Sequence, residues 1–190
     1  MKQLMVIIGF LTTQALVAQE ANHNITPNKH AEHEHSMKGA SRLTLGLGHT
    51  HISEGQVDGK TQWLVAASWS VNYDYWLSNK WAVGLQTDLI LEDFLIEDAD
   101  KEIIERKRPL AVVPVGIYKP GKHFSFLAGA GIEIAEGKNL GLTRLGIEYG
   151  AHIPKNWEIG VALVWDNKWN YYNSWGMAFT ISKIWPKKHH

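Results

Sequence analysis

Trp175-Gly-Met-Ala-Phe-Thr-Ile-Ser-Lys-Ile-Trp185 decides how this chain is read. Taken every second residue, it sets Trp175, Met177, Phe179, Ile181, Lys183 and Trp185 against Gly176, Ala178, Thr180, Ser182 and Ile184. A period of two is that of a β-strand, whose side chains alternate between faces. Here the large apolar face carries an aromatic at each end, and the other face is small and mostly polar. That is the pattern of a strand whose large face meets lipid.

Seven earlier segments repeat it. Leu43, Leu45 and Leu47 alternate from Arg42 to His51. After a Gly-containing loop expected over residues 53–60, Trp63, Val65, Ala67, Trp69, Val71, Tyr73 and Tyr75 share a face. Ser78-Asn79-Lys80 then reads as a turn into Trp81, Val83, Leu85, Thr87, Leu89 and Leu91. Alternation lapses over residues 93–108, a mixed-charge segment that predicts a long exposed loop. Residues 110–118 are apolar with no clear facing, and Pro114 requires a bulge or an unpaired position. Phe124 to Ile134, Thr143 to Ile153 and Trp157 to Trp165 complete the series, separated by the turns Lys119-Pro-Gly-Lys122, Glu136-Gly-Lys-Asn139 and Pro154-Lys-Asn156. Residues 167–174 form a further expected loop before the last strand.

Strands running up and down in order would bring Tyr73, Tyr75, Trp81, Tyr118, Phe124, Phe126, Tyr149, Trp157 and Trp185 to one level. Trp63, Trp165 and Trp175 fall at the opposite level. Amphipathic rings favour the two lipid–water interfaces. An even number of antiparallel strands closes without an edge, as hydrocarbon requires, since nothing there can satisfy a free ladder. The expected fold is therefore all-β: an eight-stranded antiparallel up-and-down transmembrane β-barrel with a disordered N-terminal leader. The competing reading is a soluble barrel of lipocalin type with the large apolar residues inside, which would crowd two rings of Trp and Tyr into its core.

Composition is consistent with export and silent on partners. The 190 residues include 19 basic and 19 acidic side chains, so no net field favours nucleic acid. Cysteine is absent, which excludes disulfides and a lipidated Cys. Lys2 followed by the apolar run from Leu4 to Leu11 reads as a signal peptide, cut after Ala18. Residues 19–41 carry His23, His30, His33 and His35 in a polar context with no apolar period, and are expected to be a flexible His-rich periplasmic segment. The barrel then spans 42–185, with a tail over 186–190.

On this alternation and these girdles the chain resembles the small eight-stranded outer-membrane barrels of the OmpX and OmpA-transmembrane-domain type, in particular members from Bacteroidota-like genomes. The resemblance covers residues 42–185. It implies insertion into outer-membrane lipid, a monomer, and recognition of the terminal aromatic, here Trp185, by the barrel-assembly machinery. This chain departs by continuing with Pro-Lys-Lys-His-His190. Such barrels serve adhesion, surface protection, anchoring or lipid modification, so the fold alone selects no activity.

Several side chains could carry chemistry. Alternation points Asp74, Asp88, Glu92, Glu133, Arg144, Glu148, His152, Glu158 and Asp166 into the barrel. Eight strands leave room for a side-chain-filled interior and not for a diffusion channel. Turn counting sets His152 opposite Glu158 and Arg144 diagonal to Glu133 and four residues before Glu148. A salt-bridge network is expected, with acid–base work by a His–Glu couple as the alternative. His30, His33 and His35 suit a divalent Zn, Cu or Ni ion, and His49 and His51 form a second candidate metal pair. His51-Ile-Ser53 is similar to the His-x-Ser pair of outer-membrane lipid A deacylases, although Glu54 follows where that family has Asn and no orienting acid is assignable. The leading expectation is a non-enzymatic envelope-structural or surface-interaction protein. Metal binding or sensing through the leader, and lipid A hydrolysis, are the alternatives.

Overall fold

The computed structural model describes residues 36–98 and 100–187. It contains ten strands: β1 (Ser41–Val57), β2 (Lys60–Trp76), β3 (Trp81–Ile90), β4 (Phe94–Glu97), β5 (Ile103–Arg106), β6 (Leu110–Tyr118), β7 (Phe124–Ile134), β8 (Leu140–Ile153), β9 (Trp157–Lys168) and β10 (Tyr172–Trp185). All pairings are antiparallel. The order β10-β9-β8-β7-β6-β3-β2-β1 closes through β10–β1, giving an eight-stranded ring, and β4 and β5 branch from β1 outside it.

Alternation sets the facing as the sequence predicts. Leu45, Trp69, Tyr73, Trp81, Phe124, Ile147, Ile159 and Trp185 point outward, and Phe179, in the middle of β10, is 78% exposed. Arg42, Asp74, Gln86, Arg144 and Glu158 point inward and are buried. The lipocalin arrangement is thus reversed. A largely apolar belt around a mostly polar interior would be untenable in water and is what a bilayer selects.

Four local expectations are corrected. The 53–60 loop is mostly strand: β1 and β2 extend to an Asp58-Gly59 turn whose φ angles of 52° and 72° make it the two-residue hairpin that matches strand twist. The extra residues are absorbed by a bulge between Ile52 and Gly55. The 167–174 loop likewise shrinks to three residues, because Lys168 pairs with Tyr172 and Asn170 takes a positive φ of 63°. Residues 93–108 are no open loop but the β4–β5 hairpin, with Ile96 paired to Gly55 of β1. Finally, the described part of the leader, residues 36–40, is folded onto the barrel end: Gly39 donates its amide to the Trp76 carbonyl (2.7 Å) and Ala40 is fully buried.

Pro114 causes no bulge. The β6–β7 ladder stops after Val112–Ile132 and resumes at Val115–Gly129 in unchanged register, so the missing amide is tolerated by skipping pairs. The inner face of β6 is apolar, with Ala111, Val113, Val115 and Ile117 buried, and this explains why its sequence showed no alternation. These residues join Trp76, Ala82 and Ile184 in one apolar cluster reaching the end where β1 begins and β10 finishes. A second cluster of Ile52, Ile90, Phe94, Ile96, Leu140 and Tyr172 closes the far end. The hairpin supplies Phe94 and Ile96 and so acts as a plug.

Candidate functional site

Between the two apolar clusters lie two groups of buried charge. Nearest the start of β1, the Arg42 guanidinium donates to Asp74 (Nε–Oδ2 2.7 Å), Glu148 (Nη2–Oε2 2.7 Å) and Glu158 (Nη1–Oε1 3.0 Å). Lys119 reaches Glu158 from the opposite wall at 3.3 Å. Small residues make room: a Cβ on Gly84 would lie 2.2 Å from Asp74 Oδ1, and one on Gly150 2.5 Å from the Glu158 carboxyl carbon. Three carboxylates around one guanidinium engage all three of its nitrogens, a planar fork that only Arg offers.

Toward the far end Arg144 binds Asp166 bidentately, with both contacts at 2.7 Å, and donates to Asp88 and to Gln86 Oε1. The Gln86 amide nitrogen donates to Glu148 at 3.2 Å, joining the two groups. Lys168 donates to Ser174 at 2.5 Å and lies 3.4 Å from Asp166 and 3.7 Å from Glu133. Glu133 also accepts from Arg106 Nη2 (2.6 Å) and from the Tyr172 hydroxyl (2.5 Å). Arg106 belongs to the hairpin, and its Nη1 donates to the Lys138 carbonyl. The plug is therefore pinned by charge as well as by packing. On the hairpin's outer side, Lys107 is held above the usual ammonium range by its hydrogen bond to Glu136, with Glu105 adding to the effect.

Of the predicted interior residues, Asp74, Glu133, Arg144, Glu148, Glu158 and Asp166 are buried in this network, and Asp88 is in it but partly open. Glu92 is exposed, because β3 ends at Ile90 and its parity is lost; its carboxylate accepts from the Ala67 amide. His152 does lie opposite Glu158, at 3.2 Å, but at the mouth and half exposed. Arg144 meets neither Glu133 nor Glu148; its partners are on β3 and β9, since β8 sits beside β9 with Arg144 paired to Asp166. The cations Arg42, Lys119, Arg106 and Lys168 were not anticipated. Arg42 was readable, having the parity opposite to Leu43. The other three lie in segments expected to be turns or loops.

The interior leaves little space for a substrate. A cavity of about 40 Å³ bordered by Thr50, Ser68, Ser70, Asn72, Asp88 and Arg144 has room for a few waters at most. Both oxygens of Glu158 are engaged, Oε1 by Arg42 and Oε2 by Lys119 and His152. At the outer surface His49 and His51 stand on β1 with ring centroids 5.0 Å apart. The Ser53 hydroxyl donates to the Asn173 carbonyl and receives the Asn173 amide, and it makes no hydrogen bond with His51. No group of three His, Asp or Glu side chains suited to a metal ion occurs among the described residues. His30, His33 and His35, and the signal peptide, lie outside the described residues.

No family model matches the chain, and no curated protein sequence matches it significantly. Solved structures do. The outer membrane protein OprG from Pseudomonas aeruginosa superposes with a TM-score of 0.52 at 11% identity, covering 79% of this chain and 98% of that one. Ail of Yersinia pestis, solved with the heparin analogue sucrose octasulfate, gives 0.49 at 16% identity over 76% of this chain and 99% of its own. Neisserial surface protein A gives 0.48 at 11% identity, covering 77% and 99%. The chain has the fold of the small eight-stranded outer-membrane β-barrels. Its apolar belt and charged core are those of a barrel built to cross a membrane.

Proposed function

We propose that the protein is a non-conducting outer-membrane barrel with a surface-interaction role, whose contact surface is the sheet β2-β1-β4-β5 projecting from the far end. The observation that carries the reading is the sealed interior. Salt bridges span the lumen from Arg42 to Lys168, and the hairpin plugs one mouth, so passage of solute is disfavoured. Strand length has instead gone into the projecting elements: β1 and β2 run for 17 residues each. The hairpin adds outward Leu95 and Ile103, 42% and 61% exposed, beside the acidic side chains of Glu102 and Glu105. An apolar surface with charges of both signs suits a protein partner.

Two measurements test this. Purified protein in planar bilayers should give no discrete conductance steps. Cells displaying the barrel should attach to a surface or to other cells, and replacement of residues 94–106 by a short Gly-Ser turn should abolish that attachment at equal surface level. Stepwise conductance, or attachment indifferent to the hairpin, would contradict the proposal.

A further inference from the structure

The outer face of β1 holds a feature that neither the interior network nor the projecting sheet uses. His49 and His51, two apart on one strand, present their imidazoles on the same face, with ring centroids 5.0 Å apart and planes at 64°. Their direct partners on β10 are Met177 and Trp175, which face the same way and are 45% and 43% exposed. Directly opposed residues of an antiparallel pair have Cβ atoms about 4.5–5.5 Å apart. Two imidazoles, a thioether and an indole therefore form one block at the level of the far aromatic girdle, where Trp165 packs against Trp175. His51 and Trp175 stand at that girdle, and His49 and Met177 lie one alternation deeper on the same outer face.

Structural residues at such a boundary need no such donor set. On the other flank of this strand pair β2 presents Ala67 and Val65, which offer no donor. Two carboxylates near in register, Glu54 and Glu92, each accept from a backbone amide, of Asn173 and Ala67 respectively. On the outer face itself the donors are two imidazoles and a thioether, a set poor in the oxygen ligands that a hard dication prefers. A soft, low-coordinate ion has what it needs: two imidazole nitrogens and a thioether sulfur select Cu(I) over Zn(II). The indole of Trp175 can lie against a bound cation and lend it cation–π stabilisation.

We infer that His49, His51 and Met177 form a Cu(I)-binding site on the outer rim of the barrel, capped by Trp175. The test uses the full chain in detergent with His23, His30, His33, His35, His189 and His190 changed to Asn, so that only barrel histidines remain. Cu(I) is titrated anaerobically against a chromophoric Cu(I) chelator, with Trp fluorescence followed in parallel. The site predicts one equivalent of bound Cu(I) with quenching that Trp175→Phe removes. His49→Asn/His51→Asn should weaken binding at least tenfold, and Met177→Leu should weaken Cu(I) but leave any Zn(II) binding unchanged. These side chains face outward, so retention of the compact, heat-modifiable band on gels shows that each variant is folded. Cu(I) affinity unchanged in the double His variant overturns the site, and affinity unchanged in Met177→Leu overturns the thioether ligand and the Cu(I) preference. Should the double variant fail to fold, His49→Asn and His51→Asn singly carry the same expectation.

Discussion

Arg144 shows how a single side chain organises the lumen. It is almost completely buried, held by Asp166 on β9 and Asp88 on β3, and linked through Gln86 to the Arg42 group. Removing one partner of a buried ion pair typically costs about 3–5 kcal/mol, because the remaining charges stay buried and unpaired. Arg144→Met should lower the urea midpoint of unfolding in lipid vesicles by an amount of that order. Combining it with Asp166→Leu should recover part of the loss, since the pair is removed together. An unchanged midpoint in the single variant would take Arg144 out of the network. Gly84 makes a second prediction at this scale. A methyl there would meet Asp74 Oδ1 at 2.2 Å, so Gly84→Ala should destabilise by pushing Asp74 off Arg42, measured the same way. The inward parity of Arg144 and Asp74 was legible in the sequence. Their partners were not, because pairing across the lumen depends on shear and tilt, which alternation along one strand does not record.

Among the elements, the β4–β5 hairpin is the part least visible in the sequence. Its strands are only four residues long and lie in a mixed-charge stretch, so neither length nor alternation distinguished them from a loop. What fixes them is tertiary: Phe94 and Ile96 pack against Ile52, Leu140 and Tyr172, and Arg106 docks on Glu133. The Asp58-Gly59 turn, by contrast, carried a readable hairpin signal that the Gly-containing context obscured. β6 was ambiguous for a third reason, its inner face being as apolar as its outer one. If Arg106 pins the plug, Arg106→Ala should speed proteolytic cleavage within residues 98–102 several-fold while the barrel itself stays resistant. Equal cleavage rates would show that packing alone holds the hairpin. The local stability of such an element lies below that of the ring and can be read separately from it.

For the molecule as a whole, most strands could be placed from sequence because the membrane demands an apolar outer face and no free edge, and every strand but β6 sets small or polar residues inward against it. The aromatic girdles predicted from turn positions are outward-facing, with Trp81 and Phe124 at one end and Trp175 at the other all exposed. A surface of this composition suits lipid. A lysine at the bilayer midplane costs roughly 2–4 kcal/mol. Phe179→Lys should therefore destabilise the barrel by about that amount in vesicles.

The orientation of the two faces is the central claim, and the absence of cysteine allows it to be tested with single labels. Nitroxides attached at Phe179→Cys and at Ser70→Cys, in protein reconstituted in vesicles, report collision rates with oxygen and with a water-soluble nickel chelate. The outward reading predicts that the label at 179 meets oxygen readily and the nickel complex hardly at all, while the label at 70 meets neither. A label at 179 reached by the nickel complex, or shielded from both reagents, would contradict a lipid-facing apolar belt and return the chain to a soluble barrel.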